Sequence, residues 1–232
     1  MTIRSFLRSL FTVSALLVPA SLAAQTYLSV GGGLTLSELR MSNLSGYRMQ
    51  TPGMEITLDS RTGITAAVEL TRPLSGSVAL RIGGAYVQKG RKMNFRIVDP
   101  NLRQRVVTPG DSWSSTRKLH YLELTALAQP TFSLGASMGE GSTSFHLLAG
   151  PALGILMRCS TECSDDYWTG MDLGVLAGAG IRMGRFRLDA TYTLGIMDVN
   201  SADSEDDYGP GSQKNRSIAL RAGFVIPLVG GS

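Results

Sequence analysis

The sequence predicts an all-β fold, an eight-stranded antiparallel up-and-down transmembrane β-barrel, on three observations. Apolar and small or polar residues alternate with period two through eight segments, the connections between segments differ systematically in length, and the charges gather on one face of the strands. Strict alternation marks a strand with two unlike faces. Short turns on one side and long loops on the other are the connection pattern of a barrel that crosses an outer membrane.

The first segment reads as an export leader. Arg4 and Arg8 form a positive n-region, Leu10 to Ala20 a short apolar stretch, and Ser21-Leu22-Ala23-Ala24 supplies small residues for cleavage. The expectation is a secretory signal peptide over residues 1–24, removed to leave a barrel domain over 25–232. Loss of Arg4 and Arg8 lowers the formal net charge from +4 to +2, so the basic balance is no signal for nucleic acid. At 43% hydrophobic and 17% charged residues the chain is too apolar and too charge-poor for disorder. Past the leader, no run approaches the roughly 18 apolar residues of a membrane helix.

The strands follow in order. Tyr27 to Leu36 is glycine-rich. Thr62 to Leu70 sets Ile64, Ala66, Val68 and Leu70 against Thr65 and Glu69, and Ser77 to Lys89 sets Val78, Leu80, Ile82 and Tyr86 against Arg81, Gly83 and Lys89. Lys118 to Gln129 sets Leu122, Leu124, Ala126 and Ala128 against Tyr121, Glu123 and Thr125. Phe145 to Met157 reads as a strand interrupted by Pro151. Met171 to Arg182 alternates apolar residues with Asp172, Gly174, Gly178, Gly180 and Arg182. Phe186 to Met197 sets Leu188, Tyr192 and Leu194 against Arg187, Asp189, Thr191 and Thr193, and Ile218 to Leu228 alternates around Arg221 and Gly223. Ser37–Arg61, Gly90–Arg117 and Asp198–Gln213 are expected as long outer loops, and Thr71–Gly76 and Met183-Gly184-Arg185 as short turns.

Residue types decide which face looks outward. One face is almost free of charge, whereas the other carries Glu69, Arg81, Glu123, Asp172, Arg182, Arg187, Asp189 and Arg221 among Gly, Ser, Thr and Ala. A soluble barrel such as a lipocalin needs Lys and Glu repeated over its outer face. Sparse charges among small residues suit instead the narrow lumen of eight strands, with the apolar face in lipid. Four acids against four arginines are expected to form a mutually paired network that fills the lumen. Tyr27, Tyr86, Phe132, Phe145, Tyr167, Trp168, Phe186 and Phe224 are placed for interface girdles.

Other candidate sites are few. Cys159 and Cys163 are the only cysteines, and in an exported chain such a close pair is expected to form a disulfide in an outer loop. His120 follows Asp111-Ser112 by eight residues, a grouping better read as a turn beside a histidine than as acyl-transfer machinery. His146 is expected as a lumen or rim hydrogen-bonding residue. The basic stretch Lys89, Arg91, Lys92, Arg96, Arg103, Arg105, Arg117 and Lys118 would meet lipopolysaccharide phosphates on the outer surface. The acidic loop Asp198, Asp203, Glu205, Asp206 and Asp207 misses the spacing of a calcium loop and reads as solvated. No catalytic, cofactor or metal site is expected.

Four stretches carry a family resemblance: Tyr121-Leu122-Glu123-Leu124, Leu148-Ala149-Gly150-Pro151, Asp172-Leu173-Gly174 running to Gly178-Ala179-Gly180, and Tyr192-Thr193-Leu194-Gly195-Ile196 followed by Lys214-Asn215-Arg216. With them the chain resembles the small outer-membrane β-barrel domain proteins of Gram-negative bacteria, the porin-family barrels, over most of residues 25–228. The last strand, with Arg221, Gly223, Ile226 and Leu228, is similar to the signal read by the barrel-assembly machinery. It lacks a terminal aromatic and trails Val229 to Ser232. The resemblance implies fold and an outer-membrane location but no single activity. The expected function is a non-enzymatic barrel, monomeric, in contact with outer-membrane lipid and lipopolysaccharide, structural or interacting through its extracellular loops. The alternatives are a narrow porin or small-solute transporter and, further off, a lipid A-modifying enzyme or a soluble lipocalin-like carrier.

Overall fold

A computed structural model describes residues 26–41, 54–97, 112–134, 143–160, 170–199 and 212–228. Eight strands run in chain order: β1 (Tyr27–Met41), β2 (Met54–Pro73), β3 (Val78–Ile97), β4 (Ser112–Ser133), β5 (Thr143–Cys159), β6 (Met171–Met183), β7 (Phe186–Gly195) and β8 (Gln213–Pro227). Each pairs antiparallel with the next, and β8 returns to β1 to close the barrel. The closing seam runs in unbroken register from Tyr27 opposite Pro227 to Met41 opposite Gln213. Within the ring, closure leaves no free strand edge among the described residues, as a bilayer requires of a β-structure.

Burial is inverted relative to a water-soluble protein. Val30, Leu34, Ile64, Val68, Ile82, Val175, Leu188, Leu220 and Phe224 are exposed on the outside. Ser29, Thr35, Thr65, Glu69, Arg81, Glu123, Asp172, Arg187, Asp189 and Arg221 are buried inside. β7 alternates without exception from exposed Phe186 to buried Gly195. Period two therefore sorts lipid face from lumen, as read from the sequence.

The two short turns lie where expected. Leu74 and Ser75 N–H both donate to Val78 O, at 2.8 and 3.0 Å, closing β2–β3. β6 and β7 meet through Gly184 and Arg185, with Gly184 at φ 57°, which a side chain would resist. Around this turn end stand the aromatics: Phe186 meets Phe224 edge to face at 5.5 Å, and Phe132 stacks on Phe145 at 6.3 Å. Tyr167 and Trp168 lie outside the described residues.

At the opposite, loop end the strands outrun their expected bounds. About 10 residues cross a bilayer, and β7 has 10, but β2, β3 and β4 have 20, 20 and 22. Much of what the sequence assigned to loops at Ser37–Arg61 and Gly90–Arg117 is thus strand. Met54 to Ser60 pairs with Arg91 to Ile97, which pairs in turn with Ser112 to Arg117, as a ledge beyond the barrel. Alternation continues there through Ile56, Met93 and Ile97, whose side chains are buried.

A bulge between Ser60 and Thr65 lies opposite Gly90, itself at φ 141°, where the ledge begins. Three carbonyls of β3 beside it are answered by side chains. Thr35 Oγ1 donates to Gln88 O at 2.8 Å, Arg61 Nη1 to Lys89 O at 3.1 Å and Ser37 Oγ to Gly90 O at 3.2 Å.

Pro151 does not interrupt β5. Pairing with β6 continues straight through it, while the β4 ladder skips from Thr125–Ala152 to Ala128–Ala149. Proline lacks an N–H, so only the neighbour that the missing donor would have served loses its rung.

Candidate functional site

The lumen holds two ion-pair clusters. Near the turn end, Arg81 on β3 is the hub. Its Nη1 lies 2.9 Å from Asp189 Oδ2 and 3.8 Å from Glu69 Oε2, and its Nε donates to Gln129 Oε1 at 2.8 Å. Arg187 Nε pairs with Asp189 Oδ2 at 2.9 Å, its Nη2 pairs with Glu69, and its Nη1 donates to Ser29 Oγ at 2.9 Å. Arg221 Nη1 reaches Glu69 Oε1 at 3.3 Å. His146 Nε2 sits 2.7 Å from Asp189 Oδ1 and 3.2 Å from Arg81 Nη2. A carboxylate only accepts and a guanidinium only donates, so the Nε2 proton decides which of these two contacts is a hydrogen bond.

The second cluster lies nearer the loop end. Lys89 Nζ sits between Glu123 Oε2 at 2.9 Å and Asp172 Oδ2 at 3.1 Å, and 5.2 Å from the centre of the Tyr121 ring. Asn215 Nδ2 donates to the same Asp172 oxygen at 2.9 Å and to Tyr121 OH at 3.3 Å. These residues come from β3, β4, β6 and β8, so one ammonium ties opposite walls together.

Two apolar groups complete the filling. Leu127, Leu148, Ala152 and Leu176 pack inside the lumen as one cluster, and Ala67, Ala85 and Val87 as another. At the loop end Leu39, Leu119, Tyr121 and Val199 form a buried lid, with Leu156 and Cys159 against it. Val199 is held there by its N–H, which donates to Gln213 O at 2.9 Å. Buried charge is costly unless paired, and here the ion pairs alternate with apolar material along the axis.

Seven of the eight charges expected inside are buried in ion pairs; among the described residues Arg182 takes part in none. It stands half-buried at the turn-end rim, donates through Nε to Gly184 O at 2.9 Å and covers the Tyr27 ring at 4.5 Å. Its position obeys the alternation, but one residue from the turn the alternation points into the mouth, short of the lumen. Its place in the balance is taken by Lys89, which the sequence reading set on the inward face and yet assigned to the basic outer stretch. Arg91 is likewise buried, while Lys92, Arg96 and Lys118 of the same stretch are exposed on β3 and β4.

His146 is a lumen residue, as expected. His120 is turned outward, its Nδ1 2.6 Å from Tyr86 OH, with Gln88 Nε2 donating to that hydroxyl at 3.0 Å. Ser112 stands eight residues earlier on the same strand, roughly 26 Å away at strand rise, so the two do not form a hydrogen-bonded pair. Arg61, Lys118 and Arg158 surround His120. Asp198, at the foot of the acidic loop, accepts from Gln213 N–H at 2.9 Å. Cys159 is disulfide-bonded. Its expected partner Cys163, the leader, Asp111, Arg103, Arg105 and the rest of the acidic loop lie outside the described residues.

Comparison with known proteins agrees with this geometry. The profile of the outer membrane protein beta-barrel domain matches residues 23–201, which leaves the closing strand β8 beyond the match. No curated protein matches the chain. Among solved structures, Neisserial surface protein A is similar at 17% identity, covering 88% of this chain and 97% of that one, with a TM-score of 0.43. OprG of Pseudomonas aeruginosa is similar at 11% identity, 88% and 97% coverage and a TM-score of 0.42. Ail of Yersinia pestis, solved with the heparin analogue sucrose octasulfate, is similar at 14% identity, 87% and 99% coverage and a TM-score of 0.38.

Proposed function

The chain belongs to the outer membrane protein beta-barrel domain family, and on that premise we propose that it is a closed, non-conducting, non-enzymatic barrel of the outer membrane. It is exported with its leader removed, inserted by the barrel-assembly machinery, and acts as a monomer through its outer rim. The observation that carries this reading is the filled lumen. The apolar lid at Leu39, Leu119, Tyr121 and Val199, the Lys89 pairs, the Leu127 layer and the Arg81 cluster succeed one another along the axis. An eight-stranded barrel has just enough width for such side chains and none left for a water column. Planar bilayers loaded with the purified protein test it. The reading predicts no steady current above the leak of the empty bilayer, whereas a stable ohmic conductance would refute it in favour of a narrow porin.

The exposed rim residues support lipopolysaccharide as the partner in this reading. Lys118 and Arg158 are exposed, Arg158 lies opposite His120, and Tyr86 joins them at the outer edge of the apolar band. Cations and amphipathic rings at that height fit the phosphates of lipopolysaccharide.

A further inference from the structure

We infer that the turn end of the barrel, which faces the periplasm, holds a binding vestibule for a small oxyanion of the phosphate class. A cavity of about 160 Å³ opens there between the β2–β3 turn and the ends of the other strands. Arg81, Arg182, Arg187, His146, Gln129 and Ser144 are among its lining residues, with further serine and threonine hydroxyls, and among the described residues no carboxylate lines it. Glu69 and Asp189 lie behind the arginines and do not reach the cavity.

Charge counting gives the reason to expect an occupant. Among the described residues Arg81, Arg187 and Arg221 share only Glu69 and Asp189, and Arg182 at the rim adds a fourth cation without adding an acid. The Lys89 cluster sets one ammonium against two carboxylates. The barrel therefore carries a surplus of positive charge at the mouth that opens, whereas at the loop end the buried Arg91, two residues beyond Lys89 on β3, is a second cation beside the two carboxylates' cluster. Surplus charge in a confined interior is stabilised by a counter-ion. Planar guanidinium forks and neighbouring hydroxyls match the oxygens of a phosphate or a similar oxyanion. The volume, about 160 Å³, has room for a small oxyanion. Two sources share this chemistry, free periplasmic phosphate and the phosphate of a lipid headgroup from the inner leaflet.

The test uses the folded mature barrel in a phosphate-free detergent and follows the phosphorus resonance of inorganic phosphate, with ionic strength held constant by chloride. A second arm uses a short-chain phosphatidic acid. Arg182→Gln removes a rim cation outside the ion-pair network. Ser144→Glu, paired in register with Arg182, places a competing carboxylate in the mouth and keeps the test open if Arg182→Gln fails to fold. Saturable binding that Arg182→Gln weakens by about tenfold, the loss of one charge-assisted contact, and that Ser144→Glu abolishes is the expected result. Binding by phosphatidic acid alone with the same variant pattern assigns the site to a lipid headgroup and upholds it. Phosphate behaving like chloride in both arms, or binding indifferent to both variants, overturns the inference. None of these outcomes depends on whether the barrel conducts.

Discussion

Replacing Lys89 by Met isolates the worth of one luminal charge. The Met side chain keeps most of the aliphatic stem beside Tyr121 and removes only the ammonium. Glu123 Oε2 and Asp172 Oδ2 lie 2.9 and 3.1 Å from Nζ, so they end at most about 6 Å apart with no cation between them. Two like charges at that distance repel by about 3 kcal/mol at an effective dielectric near 20. Breaking a buried pair by removing one partner typically costs about 3–5 kcal/mol, so both routes agree on the size. With a urea slope of roughly 2 kcal/mol/M the unfolding midpoint falls by about 2 M. The assay is urea unfolding of the protein in lipid vesicles, followed by tryptophan fluorescence and by the mobility shift of unboiled samples. Adding Glu123→Gln leaves a single carboxylate, Asp172, which Asn215 still holds at 2.9 Å, so the double variant should recover much of the loss. An unchanged midpoint for Lys89→Met, or a double variant weaker than the single, would refute the luminal pairing.

Three further outcomes follow from the same geometry. Leu220→Arg, at a mid-strand outward position, should cost roughly 2–4 kcal/mol in the same unfolding assay, while Leu220→Val should cost little. Thiol labelling of unreduced, denatured protein should find no free cysteine, and reduction should lower stability by about 2 kcal/mol on the loop-entropy scale for a ring this small. Lys118→Gln combined with Arg158→Gln should weaken binding to lipopolysaccharide-containing vesicles relative to phosphatidylcholine vesicles and leave the urea midpoint within about 0.5 kcal/mol of the wild type.

The faces of the barrel were legible because period two acts locally. Leu188 and Asp189 are neighbours in sequence and must point opposite ways, whatever the rest of the chain does. Where strands stop is a different matter. Lys89 was set on the inward side of β3 and yet assigned to the outer stretch, because nothing local says that β3 runs on to Ile97. That Lys89 meets Asp172 depends on the β3–β4, β4–β5 and β5–β6 registers, which fix the height of β3 against β6. Arg182 fails for the converse reason: the alternation gave its side correctly, but its depth depends on the two-residue turn beside it. The partner of each charge was beyond reach for the same cause. Arg81 lies 108 positions from Asp189, and only the closed ring brings them within 2.9 Å.

The central claim is that the charged face is the inside and the apolar face meets lipid. Spin labels at Leu188, Leu220 and Phe224, compared with labels at Thr191, Thr193 and Ala219, test it most directly in reconstituted vesicles. Oxygen concentrates in lipid, so the account predicts strong relaxation by oxygen at the first three sites and shielding at the second three, with the contrast greatest near Leu220. The reverse pattern would make the apolar face an interior cavity and the protein a soluble barrel, and would contradict the account.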